Sequence, residues 1–341
     1  MTEGGPTISE RTLSRRAKQI GAFWAWWMTQ RDSVALSIER GTSERFIGSI
    51  TEQVHAIDRQ LAWELTPGSS SRHCLVVTAE GNQAAIAAAY AWLAAAPPPD
   101  QLWSYLAMRP PQPLRVMEIG SWRIDLKDVR SRPELDEGAE RLNVVLWHPG
   151  FADMPPDLQF HVARLFLDAL AGEEGAARWI GSVVVGRVAA GGMTASELLG
   201  VIQRLRKAST GAKWALFARA TADGRVVLTQ INTALKRIDH PLATWHAVVN
   251  VEAPLAFDPA IPDVSGDDAL IREIERAGAT YVGKTVDRFR RRLHFVFVAG
   301  AQPAQALRRW AASYAGRATV ELTDDPGWGF IADLTGDAVR A

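Results

Sequence analysis

Residues Gly278 to Thr285 read Gly-Ala-Thr-Tyr-Val-Gly-Lys-Thr and satisfy the G-x-x-x-x-G-K-[ST] pattern of a phosphate-binding loop. In that chemistry the backbone N–H groups between Gly278 and Gly283 wrap a polyphosphate, Lys284 neutralises it, and the Thr285 hydroxyl holds magnesium. Such a loop leaves a buried strand and opens a helix whose N-terminus faces the anion. The flanks here run the other way. Before the string, Leu270, Ile271, Ile274 and Ala277 fall at helical spacing over 267–277; within it, Ala279 to Val286 is β-branched and aromatic, which suits a strand. The expectation is helix, turn, strand, so that Gly278, Gly283, Lys284 and Thr285 mimic a phosphate loop without forming one. A nucleotide-binding protein or enzyme using 278–285 stays open as the alternative.

A second cluster, Arg288, Arg290, Arg291 and Arg292, sits at a polar turn (287–291) before Leu293-His294-Phe295-Val296-Phe297-Val298. RNA-recognition modules share a βαββαβ plan and a basic strand with alternating aromatics. Against this, Leu293, Phe295 and Phe297 fall on one face, which the chain's own helices need. The strand 246–251 also carries no stacking aromatic within it. A solvated basic turn is expected, with RNA or anion binding at these arginines as the alternative.

Seven histidines are scattered without an H-E-x-x-H or other close ligand spacing. His148 and His161, with Asp153 and Asp157, bracket a turn and a helix start and form a candidate metal constellation of unspecific spacing; ordinary polar roles are expected, and no metal or cofactor. No G-x-S-x-G elbow supplies a serine nucleophile. Asp267-Asp268 precede a helix and read as its cap, and Asp324-Asp325-Pro326-Gly327 reads as a turn. The single cysteine, Cys74, excludes an internal disulfide and a cysteine-based zinc site, fits a reducing cytoplasm, and lies in an apolar strand as a buried thiol.

The elements that must carry these residues belong to a chain of 341 residues, long enough for two or three domains. Lys+Arg 38 against Asp+Glu 38 gives no net field to recruit nucleic acid or an anionic membrane. No export signal is expected from Met1 to Pro6, and no apolar run is long enough to span a bilayer. A helix over about 9–30 places Ile20, Phe23, Trp24 and Trp27 on one face, and the aromatics of Phe23-Trp24-Ala25-Trp26-Trp27 are expected to dock on the chain's own core. An αββαβ order follows: helix 43–58, strands 61–65 and 74–79, a helix around Ile86, Tyr90 and Leu93, and a strand 102–108. The order recurs as helix 267–277, strands 279–286 and 292–299, helix 303–315 and strand 317–322. With strand 246–251 in front, the second copy becomes the βαββαβ ferredoxin-like plait. Between them lie strands 114–119, 122–126 and 142–147, helix 156–170, strand 179–188 and helix 194–207. Ala208-Ser209-Thr210-Gly211 reads as a boundary, and a hairpin 214–220/226–231 opens the last part. The fold class expected is α+β: two or three ferredoxin-like sheet-and-helix units in tandem, divided as 1–110, 111–208 and 209–341.

Four stretches (Phe23-Trp24-Ala25-Trp26-Trp27, Leu61-Ala62-Trp63-Glu64-Leu65, His73 to Ala79, and Met108-Arg109-Pro110-Pro111) resemble the N-terminal region of a group of uncharacterised bacterial proteins. The part from Trp214 to Trp328 resembles a widespread bacterial domain of unknown function, itself similar to the regulator of ribonuclease activity, type B. The resemblance implies that Tyr281 to Thr285 is a strand. It brings no catalytic residue with it, and it implies fold more than partner. The function expected is a non-catalytic, cytoplasmic protein-binding or regulatory module, with another protein as partner, no membrane, and an oligomeric state the residues leave open.

Overall fold

Hydrophobic periodicity decides the first element. Helix α1 (Ile8–Glu39) buries Phe23, Trp24, Trp27, Val34 and Ala35 at helical intervals, and the aromatics dock on the chain's own core as expected. Buried indoles need acceptors, and they have them: Trp24 Nε1 donates to the Trp92 carbonyl (3.0 Å), Trp27 Nε1 to Tyr105 Oη (3.2 Å), and Trp103 Nε1 to the Arg31 carbonyl (3.2 Å). Our computed structural model describes residues 8–186, 191–220, 224, 226–252, 267–287, 290–314, 317–335 and 339–340. The chain forms two compact units, Met1–Ser209 and Thr210–Ala341, so that the expected segments 1–110 and 111–208 fall within one unit.

In the first unit α1 is followed by α2 (Ile47–Ile57), β1 (Ala62–Pro67), β2 (His73–Thr78), α3 (Ile86–Ala94) and β3 (Trp103–Leu106). The hairpin β1/β2 is antiparallel, α3 crosses over, and β3 lies parallel to β2, giving the order β1-β2-β3. A two-stranded ribbon, β4 (Val116–Ile119) and β5 (Trp122–Asp125), intervenes. Then β6 (Arg130–Asp136), β7 (Arg141–Trp147), α4 (Pro156–Trp179) and β8 (Ile180–Val185) repeat the earlier arrangement: antiparallel hairpin, helix, parallel third strand. Helix α5 (Ala195–Ala208) closes the unit behind a Thr194/Glu197 capping box. The recurring pattern therefore lies inside the first unit, in two three-stranded sheets. β6 was not expected; helix α4 runs nine residues further than read, through a break at Gly172.

The second unit carries β9 (Trp214–Ala220), β10 (Val226–Asn232), β11 (Trp245–Glu252), α6 (Asp267–Arg276), β12 (Ala279–Val286), β13 (Arg290–Phe297), α7 (Ala301–Ser313), β14 (Ala318–Asp324), α8 (Phe330–Thr335) and β15 (Val339–Arg340). They form one antiparallel sheet ordered β14-β11-β13-β12-β10-β9-β15. Helices α6 and α7 cover one face over Ala247, Val249, Leu293, Phe295 and Phe297; Trp328 and Phe330 cover the other over Val282, Val296 and Ile231. The sheet is mixed with helices throughout, an α+β architecture, and among the described residues no helix is long and apolar enough to cross a membrane.

Gly283 is a position where two strands approach closely: it pairs with Ile231 of β10, beside a bulge between Tyr281 and Gly283 in the β12/β13 ladder, and a Cβ there would stand against the Gln230 carbonyl oxygen and 2.8 Å from Ile231 Cα. Gly283→Ala is expected to destabilise the chain by about 2 kcal/mol or more in urea unfolding; an unchanged midpoint would mean the strands part at no cost.

Candidate functional site

The sequence candidates within the described residues can each be placed. Ala279 to Val286 is β12, paired to β10 on one side and to β13 on the other, so its backbone amides serve the sheet rather than an anion. Gly278 occupies the turn before it at φ +97°. Lys284 is buried and faces Asp267 at 3.9 Å, while Thr285 Oγ1 lies 3.3 Å from His294 Nε2. The described arginines of this cluster differ in burial. Arg290 is exposed and Arg292 half-buried, whereas Arg291 is buried, ion-pairs with Asp267 (Nε–Oδ1 3.2 Å) and donates from Nη2 to Tyr314 Oη (3.2 Å); Arg288 lies outside the described residues. Asp267, expected at the start of this helix, is the first residue of α6 and is also the buried counter-charge to Lys284 and Arg291.

The metal candidates separate as well. His148 is buried with both ring nitrogens engaged: Nε2 lies 3.1 Å from the Asp125 carbonyl and Nδ1 accepts from Gly150 N–H at 2.9 Å, leaving no lone pair for a cation. His161 and Asp157 are exposed, and no group of three potential ligands converges among the described residues. A different pair does meet: His246 Nε2 and His294 Nδ1 are 3.1 Å apart, with Phe330 stacked on His246 at 3.7 Å between ring centroids. Burial drives the His246 pKa down to about 4; burial, the His246 partner and Arg292 drive that of His294 to about 3.

Chemically distinctive groups that no spacing announced gather in the first unit. Arg109 donates to Glu173 (3.0 Å), Glu64 (3.2 Å) and Glu80 (2.7 Å). Glu173 is buried and also accepts from Thr78 Oγ1 (2.5 Å) and Arg109 N (2.8 Å). Its neighbour Gly172 sits at φ +75°, breaking α4, and a Cβ there would meet Pro111 Cδ at 2.9 Å. The segment after Arg109 is thereby held against α4, with Gln112 N donating to the Ala169 carbonyl (2.8 Å) and Glu173 N to the Arg109 carbonyl (3.0 Å). Asp168, in the same neighbourhood, is raised to about 6 by burial and by Glu173 and Glu80, against the pull of Arg164 and Arg109.

That held segment is one wall of a groove of about 910 Å³. Pro110, Pro111 and Pro113 form the wall, Pro97 to Pro99 and Pro67 contribute further rings, and Gly68 to Ser70 complete the lip. Thr66, Cys74 and Ser104 line it from one cross-strand row, since Thr66 pairs with Cys74 and Cys74 with Ser104. Burial pushes the Cys74 thiol up, outweighing its hydrogen bonds to Ser104 and Thr66, so it stays protonated and unreactive at neutral pH. Ser71 Oγ donates to Ser104 Oγ (2.7 Å) at the same level. The volume falls within the range of ligand pockets, and the lining is apolar rings with a few hydroxyls.

Compared with protein-family models, curated proteins and solved structures, the chain matches none.

The titrating groups give opposite signatures. Asp168, raised when folded, contributes stability that is full below its ordinary value of 3.8 and is lost as pH rises through about 6. Asp168→Asn is expected to raise the melting temperature at pH 8 and to leave it unchanged near pH 4; equal shifts at both would show that charge is not what the site resists. His246 and His294 contribute stability present above 6.5 and lost as pH falls toward about 4 and about 3. Amide protection of β11 and β13 is expected to decline with acidification below pH 6.5, less steeply in His246→Gln than in the parent.

Proposed function

We propose that this chain is a non-catalytic protein-binding module of the cytoplasm, and that its first unit holds an extended segment of a partner protein in the proline-walled groove. The groove is the observation that carries the reading. Proline rings present apolar area without N–H groups that would need partners, and their fixed φ means little freedom is lost when a ligand packs on them. The hydroxyl oxygens of Thr66 and Ser104, whose hydrogens serve Cys74, offer acceptors to the N–H groups of an extended peptide. Cys74 between them adds soft apolar surface rather than a nucleophile.

For the second unit we propose the ferredoxin-like description: β11, β12, β13 and β14 stand in the order β14-β11-β13-β12, with α6 and α7 on one face. That arrangement is a scaffold common to many activities and leaves the binding role with the groove.

A synthetic library of short peptides with blocked ends, screened against the full chain, tests the reading. Binders are expected to protect residues 65–70, 96–99 and 110–115 in hydrogen exchange or cross-linking, and to lose affinity at least tenfold against Ser104→Phe, which fills the floor while its melting temperature is monitored. Binders whose footprints all fall elsewhere would remove the groove from the account.

A further inference from the structure

Among the residues lining the groove a single one carries a formal charge, Arg115. Four arginines of the first unit pair with carboxylates: Arg16 with Asp58, Arg72 with Glu39, Arg31 with Asp100, and Arg109, six positions before Arg115, with Glu64, Glu80 and Glu173. Arg115 is exposed, and among the described residues no carboxylate pairs with its guanidinium. Its main chain is nonetheless fixed. The Arg115 carbonyl accepts from Leu126 N at 3.2 Å, and β4 begins at the next residue, so the side chain is offered from ordered backbone beside the Pro110–Pro113 wall.

The lining thus combines proline and leucine surface, uncharged hydroxyls and one uncompensated cation, with no carboxylate. A guanidinium in that position can pair bidentately with a carboxylate of a ligand lying along the apolar proline rings. A second acid on the ligand would lie against apolar rings without a partner, and a basic residue would meet Arg115 directly. Resting on the peptide-groove reading above, we propose that the groove selects an otherwise uncharged, apolar stretch of a partner protein bearing one Asp or Glu side chain, and that Arg115 reads that carboxylate.

The test uses end-blocked peptides from the groove-binding set, so that no terminal carboxylate competes with the side chain. Peptides with a single Glu are expected to bind the full chain, and their Gln counterparts about tenfold more weakly. Arg115→Gln, an exposed substitution that should leave the melting temperature unchanged, is expected to bind the Glu and Gln peptides alike; Arg115→Glu is expected to prefer the Lys counterpart. Equal binding of Glu and Gln peptides by the parent chain, with footprints in the groove, would overturn the carboxylate proposal while leaving the groove standing. Discrimination that survives Arg115→Gln would also overturn it. If no footprint lies in the groove, it is the groove reading that fails.

Discussion

One guanidinium organises the first unit. Arg109 reaches Glu64 on β1, Glu80 beyond β2 and Glu173 on α4, residues that no local element brings together. Glu173 is buried with Thr78 and two donors of Arg109 on its oxygens, so its charge is both neutralised and hydrogen-bonded, the condition under which a buried ion is tolerated. The break in α4 belongs to the same assembly. Gly172 gives the chain a left-handed residue where Arg109 and Pro111 approach too closely for any side chain, and the groove wall follows directly from where that segment is pinned. The ion cluster, the broken helix and the proline wall are parts of one arrangement.

The second unit shows how topology can override a motif. A G-x-x-x-x-G-K-T string supplies the residue types of a phosphate site, yet a strand paired on both sides has spent its amides before any anion could use them. Lys284 then points into the layer beneath α6, where Asp267 meets it together with Arg291. Arg237, another buried cation of this unit, is satisfied without a carboxylate by the carbonyls of Pro326, His240 and Pro241, and burial lowers its pKa to about 10.

Local pattern was legible and distant convergence was not. The hairpin β9/β10 and the strand β12 follow from alternation and turn residues, and the structure places them within a residue of where the sequence does. Strand β6 escaped because its seven residues bury only Ser131 and include Pro133, so no two-residue rhythm marks it. The start of β13 was read late, since Arg290 to Arg292 look like a turn until Arg291 finds Asp267 inside. The Arg109 cluster joins residues 29 to 64 positions apart, and the groove joins three proline-bearing stretches; neither has a signature along the chain. The αββαβ order expected at the two ends of the chain is present at both, but β3 pairs with β2 whereas β14 pairs with β11, because element order does not say which strand the last one will join; the same pairing recurs instead between the two sheets of the first unit.

The prolines around β3 have a second effect, on self-association. β3 is an edge strand of four residues, and an exposed edge is a template on which another molecule's chain can add and a fibrillar sheet can grow. Pro97 to Pro99 before it and Pro110, Pro111 and Pro113 after it lack the amide hydrogens that lengthening the ladder would require. The same rings that wall the groove thus also stand at both ends of this short strand, where they cannot donate to a longer ladder.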